Sequence, residues 1–411
     1  MLTPFHHKKV VLGITGSIAA YKAVDLASKM AQNEAFVDVI LTRSATQFVT
    51  PLTFQSVTGQ PAHTEEDLWG SQGHVLHIGL AHQADLVVIA PATANTIAKL
   101  AHGIADNLLT VTSLAAKCPI IIAPAMDGGM FTNPATQANL EILRQRNSSI
   151  LGPAEGHLAS GMTGIGRMLE PGELLGHIRY ELSRRGPLKN KKFIVTASRT
   201  YEPFDPVRGI TNRASGKQGF ALAQAALDRG AEVILITGPA NLDTPIGAQR
   251  IDVQTAAEMR DEVLRGLPES TGLIMAAAVA DFRPRSAEDH KIKKTNGMPQ
   301  FELEPTPDIL AEISKEKRRN GYPQITVGFA AESQDLLKNA RRKLEQKQLD
   351  LIIANDISAK DAGFAVETNQ VTILDAGGGE EVLPLIDKNE VAQFVLERIL
   401  GLLGLSGGDQ S

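Results

Sequence analysis

Short unbroken apolar runs alternate with stretches of helical periodicity along the chain. KVVLGIT (9–15), VDVILT (37–42), DLVVIAP (85–91) and IIIAPAM (120–126) read as strands buried on both faces. SIAAYKAVDLASKMAQ (17–32) carries a helical pattern, and Asn133-Pro134 predicts an N-cap followed by proline at the first position of PATQANLEILRQR. The pattern restarts near residue 190. FIVTAS (193–198), AEVILITGP (231–239), LIMAAAVAD (273–281), ITVGFAAE (325–332) and DLIIANDIS (350–358) are again strand-to-loop units. VTILD (371–375) and EVLPL (381–385) predict a terminal hairpin, NEVAQFVLERILGLL (389–403) a closing helix, and LSGGDQS (405–411) a disordered tail. The polar, basic SRRGPLKNKK (183–192) reads as a linker. Two Rossmann-like α/β domains with parallel sheets are expected, over 1–188 and 189–411.

Composition narrows the function. A chain of 411 residues with 43% hydrophobic and 21% charged positions has material for two cores. A net charge of -5 and the lack of a dense basic tract argue against a nucleic-acid binder. Cys118 is the single cysteine, so neither an intrachain disulfide nor a cysteine metal cluster can form, which fits a reducing cytoplasm. Lys8-Lys9 followed by Val10-Val11-Leu12 imitates a signal peptide, but Gly13, Thr15 and Gly16 break the run. No apolar run reaches the roughly 18 residues of a membrane span, so no membrane partner is expected.

Ligands of open α/β sheets bind beyond the carboxyl ends of the strands. The loops to read are therefore GSIAA, TRSAT, APATANT and APAMDGGM. Gly13-Ile14-Thr15-Gly16-Ser17 turns into a helix N-terminus, which suits a phosphate, although a plain structural turn accounts for it equally well. GxGxxG is absent, and Thr42-Arg43-Ser44 offers no acid for an NAD ribose. A mononucleotide fits better than a nicotinamide dinucleotide, which argues against a nicotinamide oxidoreductase.

GSIAAYK, His77-Ile78-x-Leu80, APATANTIAKLAHGIADNLL, PAMDxxM and the GxGRM stretch at 164–168 resemble the flavin-dependent cysteine decarboxylases. The closest likeness is to the phosphopantothenoylcysteine decarboxylase half of a bifunctional bacterial enzyme. The resemblance implies a flavodoxin-like domain binding FMN with Gly16, Ser17, Ser44 and Pro91-Ala92-Thr93-Ala94-Asn95. It also implies a trimer with Asp106 beside the flavin at a subunit contact, and His77 as catalytic base. Two positions depart from the pattern. Asp127 stands where the family has the asparagine that binds the substrate carboxylate, and Ser160 where it has a proton-donating cysteine. An ionised Asp127 would repel that carboxylate, whereas an acid kept protonated by burial could donate to it. A serine hydroxyl is a far weaker acid than a thiol of pKa about 8.5. The expectation is that the two changes compensate each other. The competing readings are an inactive, FMN-binding or regulatory first domain, and a different flavin substrate.

In the second half, TASRTYEPFDPVRGITNRASGKQG (196–219) is a long loop entering a helix near Ser215. Ser215-Gly216-Lys217 fails the Walker spacing but leaves a glycine-opened helix N-terminus suited to an anion. Asp281 follows a strand, Lys291-Ile292-Lys293-Lys294 is a basic cluster of the kind that is usually solvated surface, Lys343 and Lys347 lie one helical turn apart, and Asn355-Asp356 ends a strand. Acids near several lysines suit a metal-nucleotide site. These stretches resemble phosphopantothenoylcysteine synthetase. The resemblance implies a nucleotide site of Asp281, Lys291, Pro307, Asp308, Ile309, Leu310, Phe329, Lys343 and Lys347, with Mg2+ at Asp281. It implies that Asn212 acts on an acyl-cytidylate formed from CTP and 4'-phosphopantothenate before cysteine attacks. Dimers through this domain and trimers through the first would build a dodecamer.

Overall fold

Apolar side chains at consecutive positions place strands in the interior, and their alternation divides the packing between two faces. In this computed structural model, residues 3–69, 73–293, 300–332, 335–356 and 368–405 are described. They fall into two compact units, Leu2–Leu182 and Ser183–Ser411.

The first unit holds a parallel sheet of β1 (Lys9–Ile14), β2 (Phe36–Leu41), β3 (Ala62–His63), β4 (Leu86–Ala92), β5 (Ile120–Pro124) and β6 (Ser149–Ile150). Its order is β3-β2-β1-β4-β5-β6. Without the short β3 this is the flavodoxin-like order, and the winding reverses between β1 and β4. Among the described residues the α-helices that accompany it are α1 (Ala20–Gln32), α2 (Pro51–Thr58), α3 (Gly73–Gln83), α4 (Ala94–His102), α5 (Leu108–Ala115), α6 (Gly128–Thr132), α7 (Pro134–Gln145) and α8 (Pro171–Ser183). Val10, Leu12 and Ile14 enter one core with Leu26 and Met30 of α1 and with Leu174 and Ile178 of α8. Val11 enters the opposite core with Ile97, Leu109 and Leu140. Helix α1 starts later than the periodicity predicts because Ser17–Ala19 form a turn, with Ser17 N–H donating to Thr15 O at 2.8 Å. Asn133 caps α7 as expected, its side chain accepting from Ala135 N–H at 2.9 Å. A hairpin of β7 (Ala154–His157) and β8 (Thr163–Arg167) follows the sheet.

The second unit opens with β9 (Lys192–Ala197), the pair β10 (Tyr201–Pro203) and β11 (Gly209–Thr211), and α9 (Lys217–Leu227). There follow β12 (Glu232–Thr237), β13 (Ala248–Asp252), α10 (Ala256–Gly266), β14 (Gly272–Met275), β15 (Phe282–Pro284), β16 (Leu303–Pro305) and α11 (Ile309–Asn320). The chain continues through β17 (Ile325–Glu332), α12 (Leu336–Gln346), β18 (Leu351–Asp356), β19 (Thr368–Asn369), β20 (Val371–Asp375), β21 (Glu380–Val382), β22 (Ile386–Asp387) and α13 (Lys388–Leu402). The main sheet runs β13-β12-β9-β14-β17-β18-β20-β21, parallel as far as β18 and closed by the antiparallel β20–β21 hairpin. The strand expected over 273–281 ends at Met275. Beyond it Ala277 N–H turns to Thr196 Oγ1 at 3.2 Å and Ala278 N–H to Ser198 O at 2.8 Å, so 276–281 becomes a loop at the carboxyl end of the sheet. Most of LSGGDQS and the end of DLIIANDIS lie outside the described residues. No helix among the described residues is long and apolar enough to cross a membrane.

Candidate active sites

In the first unit, the loops after β2, β1 and β4 converge at the reversal of the winding. Thr15, 1% exposed, donates its hydroxyl to Pro91 O at 2.7 Å and accepts from Thr93 N–H at 3.0 Å, locking the first loop to the third. Sequence reasoning did not single out Thr15, since one threonine in a turn carries no signal until the other loop is in place. A Cβ on Gly16 would lie 2.4 Å from Ser44 Cβ, so only glycine lets these two loops approach so closely. The exposed side chains of Ser44 and Asn95 make no hydrogen bond among the described residues, and Ser17 Oγ only accepts from Ala19 N–H at 3.3 Å. Thr93 caps α4, accepting from Thr96 N–H at 3.4 Å. A glycine-lined approach, a helix N-terminus and spare hydroxyl and amide groups fit a flavin mononucleotide phosphate and ring.

The hairpin seats on the loop after β5. Gly166 has φ 151°, a Cβ there would lie 2.2 Å from Met126 O, and Met126 N–H donates to Gly166 O at 3.1 Å. Asp127 caps α6, its Oδ1 accepting from Gly129 N–H at 2.9 Å, while its Oδ2 accepts from Ser160 Oγ at 3.1 Å. The two positions that depart from the decarboxylase pattern are thus joined to each other. Asp127 is exposed, so the burial expected to keep it protonated is not provided within the single chain. At the base of the hairpin, Glu170 accepts from the buried Lys22 Nζ of α1 at 2.6 Å and from Arg167 Nη2 at 2.8 Å. In the sequence Lys22 stands only as the last residue of GSIAAYK, with no role of its own.

His77 sits on α3, and its Nδ1 is buried without a hydrogen-bond partner among the described residues. An unspent imidazole nitrogen suits a base awaiting substrate. Asp106 is not the cap of α5; Asn107 is, through Thr110 N–H at 2.9 Å. Asp106 instead accepts Lys99 Nζ at 2.7 and 2.9 Å, and that hydrogen bond holds its carboxyl below the ordinary value.

In the second unit, Asp308, Phe329, Lys343 and Lys347 come together. Asp308 caps α11 through Ala311 N–H at 3.1 Å and pairs with Lys347 Nζ, while Lys343 Nζ donates to Phe329 O at 2.8 Å. Burial raises the Asp308 carboxyl, but the Lys347 hydrogen bond, the Ala311 N–H and the charges of Lys347 and Lys343 outweigh it and leave the group below its ordinary value. Ile309 is 4% exposed and belongs to the core together with Leu310, so these two offer the site backbone rather than side chains. Pro307 leads into that helix. Thr306 ties it to the loop after β14, donating its N–H to Asp281 O at 3.0 Å and its hydroxyl to Ala280 O at 2.5 Å. Asn212 Nδ2 reaches the same loop, at Ala278 O (3.1 Å) and Val279 O (3.2 Å). The Asp281 side chain is exposed. No group of three or more His, Cys, Asp or Glu side chains among the described residues could hold a metal ion. One free carboxylate fits a magnesium ion carried chiefly by nucleotide phosphates. Lys291 lies in an exposed segment lining a cavity of 610 Å³ whose lining includes none of Asp308, Phe329, Lys343 and Lys347. Lys294 lies outside the described residues. Gly216, with φ 88°, opens α9 as the glycine-led helix start predicts.

A flavodoxin-like unit with glycine-lined loops at its winding reversal, followed by a second α/β unit, is the layout of a two-domain flavoprotein. The flavoprotein family model matches residues 3–183, and the model of the DNA/pantothenate metabolism flavoprotein C-terminal domain matches residues 188–402. The coenzyme A biosynthesis bifunctional protein CoaBC of Bacillus subtilis (strain 168) is 45% identical over 405 residues, covering 98% of this chain and 99% of its own. That of Vibrio vulnificus (strain CMCP6) is 42% identical over 399 residues, covering 97% and 98%. A cysteine/cysteine sulfinic acid decarboxylase of an unknown prokaryotic organism is 43% identical over 365 residues, covering 86% of this chain and 99% of its own. The chain belongs to the CoaBC family of bifunctional coenzyme A biosynthesis enzymes, in which a flavoprotein decarboxylase domain is joined to a ligase domain.

Proposed function

We propose that the ligase domain, over 189–411, couples 4'-phosphopantothenate to cysteine with CTP, and that the domain over 1–188 decarboxylates the product to 4'-phosphopantetheine with FMN as its flavin. In the first ligase step the pantothenate carboxylate attacks the α-phosphorus of CTP, an acyl-cytidylate forms and pyrophosphate leaves. The cysteine amine then attacks the acyl carbon, CMP leaves and an amide remains. The observation that carries this reading is the joint presence of Lys343, Lys347, Asp308 and Phe329 at the carboxyl end of the sheet. The lysines supply positive charge for the phosphates, and Asp281 is the proposed ligand of the Mg2+ that accompanies the nucleotide. Asn212, anchored to Ala278 O and Val279 O, is the residue proposed to act on the acyl-cytidylate.

In the decarboxylase domain, Gly16, Ser17, Ser44, Pro91, Ala92, Thr93 and Asn95 are proposed to hold FMN, with Asp106 beside it at a subunit contact. Bound FMN supplies reversible two-electron chemistry at the substrate thiol. His77 is the proposed base, with Nδ1 unspent. The Asp127–Ser160 pair supports the compensatory reading: Ser160 occupies one oxygen of Asp127, and together they offer the substrate a hydrogen-bonded polar pair. A cytoplasmic location, trimers through the first domain, dimers through the second and a resulting dodecamer complete the proposal.

The test is product analysis by mass spectrometry after supplying purified protein with 4'-phosphopantothenate, cysteine, CTP and Mg2+. Formation of 4'-phosphopantetheine is expected. Accumulation of 4'-phosphopantothenoylcysteine with flavin bound would retain the ligase and overturn the decarboxylase assignment in favour of a regulatory first domain. The same incubation without CTP, with cysteine or cysteine sulfinate, tests the substrates named by one of the relatives.

A further inference from the structure

Asp205 lies between β10 and β11 and is 1% exposed. A buried carboxylate persists only when its lone pairs are used. Asp205 Oδ1 accepts from Val207 N–H and Arg208 N–H, each at 2.8 Å. Its Oδ2 accepts from Arg208 Nε at 3.0 Å, Arg208 Nη2 at 2.5 Å and Ile292 N–H at 3.2 Å. Arg208 Nη2 also donates to Ile292 O at 2.9 Å, so both backbone polar groups of Ile292 are held by one ion pair. Glu288 N–H donates to Phe204 O at 3.0 Å, a second tie between the same two loops. The Arg208 guanidinium and the three backbone N–H groups outweigh burial and hold the Asp205 carboxyl well below its ordinary value.

Ile292 stands between Lys291 and Lys293, which line the 610 Å³ cavity with Arg285, His290 and two carboxylates, Glu288 and Glu302, the latter accepting from Arg285 Nη1 at 3.2 Å. A lysine on an unrestrained exposed segment loses much conformational entropy when it meets a phosphate. Fixing the backbone beside it removes part of that cost before the ligand arrives. We propose that Asp205 is a positioning residue of the ligase, clasping Ile292 so that Lys291 is presented to the anionic nucleotide. This inference rests on the reading of Lys291 as a nucleotide-site residue.

The test uses the full-length holoprotein and steady-state pyrophosphate release from CTP and 4'-phosphopantothenate at saturating cysteine, which clears the acyl-cytidylate in each cycle. Asp205→Asn should raise KM for CTP about tenfold with kcat within about twofold, because ground-state placement is what is lost. Tryptic cleavage after Lys291 and Lys293 should accelerate in the same variant while the KM for 4'-phosphopantothenate stays unchanged. Arg208→Lys, which keeps the charge but loses the fork geometry, should shift KM in the same direction. Lys291→Gln separates the two claims. If it leaves KM for CTP unchanged, the reading of Lys291 fails and the inference falls with it. If Lys291→Gln weakens CTP but Asp205→Asn and Arg208→Lys match the wild type in KM and cleavage rate, Lys291 stands and the positioning role is overturned. A uniform loss in every kinetic constant with a lowered melting temperature would also overturn it, as the mark of a purely structural residue.

Discussion

Replacing Asp127 and Ser160 singly and together measures whether these residues act as a unit. Their hydrogen bond is 3.1 Å long, and the second carboxylate oxygen is engaged by Gly129 N–H. A hydrogen bond to a charged group contributes about 1.5–3 kcal/mol. Both side chains are exposed in the single chain, so competition from water brings the coupling down to about 1 kcal/mol. That corresponds to about fivefold in rate. Asp127→Asn and Ser160→Ala should each slow decarboxylation, and the double variant should be slower than the worse single by less than the product of the two effects, with a coupling of about 1 kcal/mol. The assay is single-turnover conversion of 4'-phosphopantothenoylcysteine by flavin-loaded protein, with flavin content matched across variants. Pairing Asp127→Asn with Ser160→Cys, which restores both residues of the decarboxylase pattern, should recover turnover lost in Asp127→Asn. Strictly additive effects, or undiminished turnover in Asp127→Asn, would refute the idea that the two changes compensate.

Gly16→Ala places a Cβ 2.4 Å from Ser44 Cβ, against an optimal carbon–carbon separation of about 3.5–4.0 Å, so the loops must part by about 1 Å. Flavin absorbance of the purified variant should fall while ligation persists. Gly166→Ala combines φ 151° with a clash at Met126 O, and should lift the hairpin, abolishing decarboxylation but not pyrophosphate release. The lowered Asp308 value means that its ionised, Lys347-paired form stabilises the fold above the unfolded value of about 3.9, and that this contribution is lost as pH falls through the lower folded value. Carboxyl NMR should place the Asp308 midpoint below the ordinary value, and Lys347→Gln should move it upward.

Strands such as Lys9–Ile14 and Phe36–Leu41 were legible because burial on both faces demands unbroken apolar runs, and the Asn133 cap because its chemistry is local. The end of β14 was not legible. The apolar run continues through Ala276–Ala280, but those residues take long-range bonds to Thr196, Ser198 and Thr200 instead of continuing the strand. The lysine constellation was readable as residue types yet not as geometry: Lys347 pairs with Asp308 and Lys343 bonds Phe329 O, whereas Lys291 sits in a separate segment. Asp205 and Thr15 escaped notice for a shared reason. Each acquires its role from backbone groups far away in sequence, and no local spacing announces such partners.

The bond from Lys22 to Glu170 connects the helix that opens at the cofactor loop to the stem of the hairpin. Two ligands that meet such a shared element obey reciprocity: whatever factor the cofactor adds to substrate affinity by ordering the hairpin, substrate must return to cofactor affinity. If flavin binding favours the seated hairpin, a protein short of substrate would hold its flavin less tightly than one at work, and cofactor retention would then read out flux through the preceding ligation.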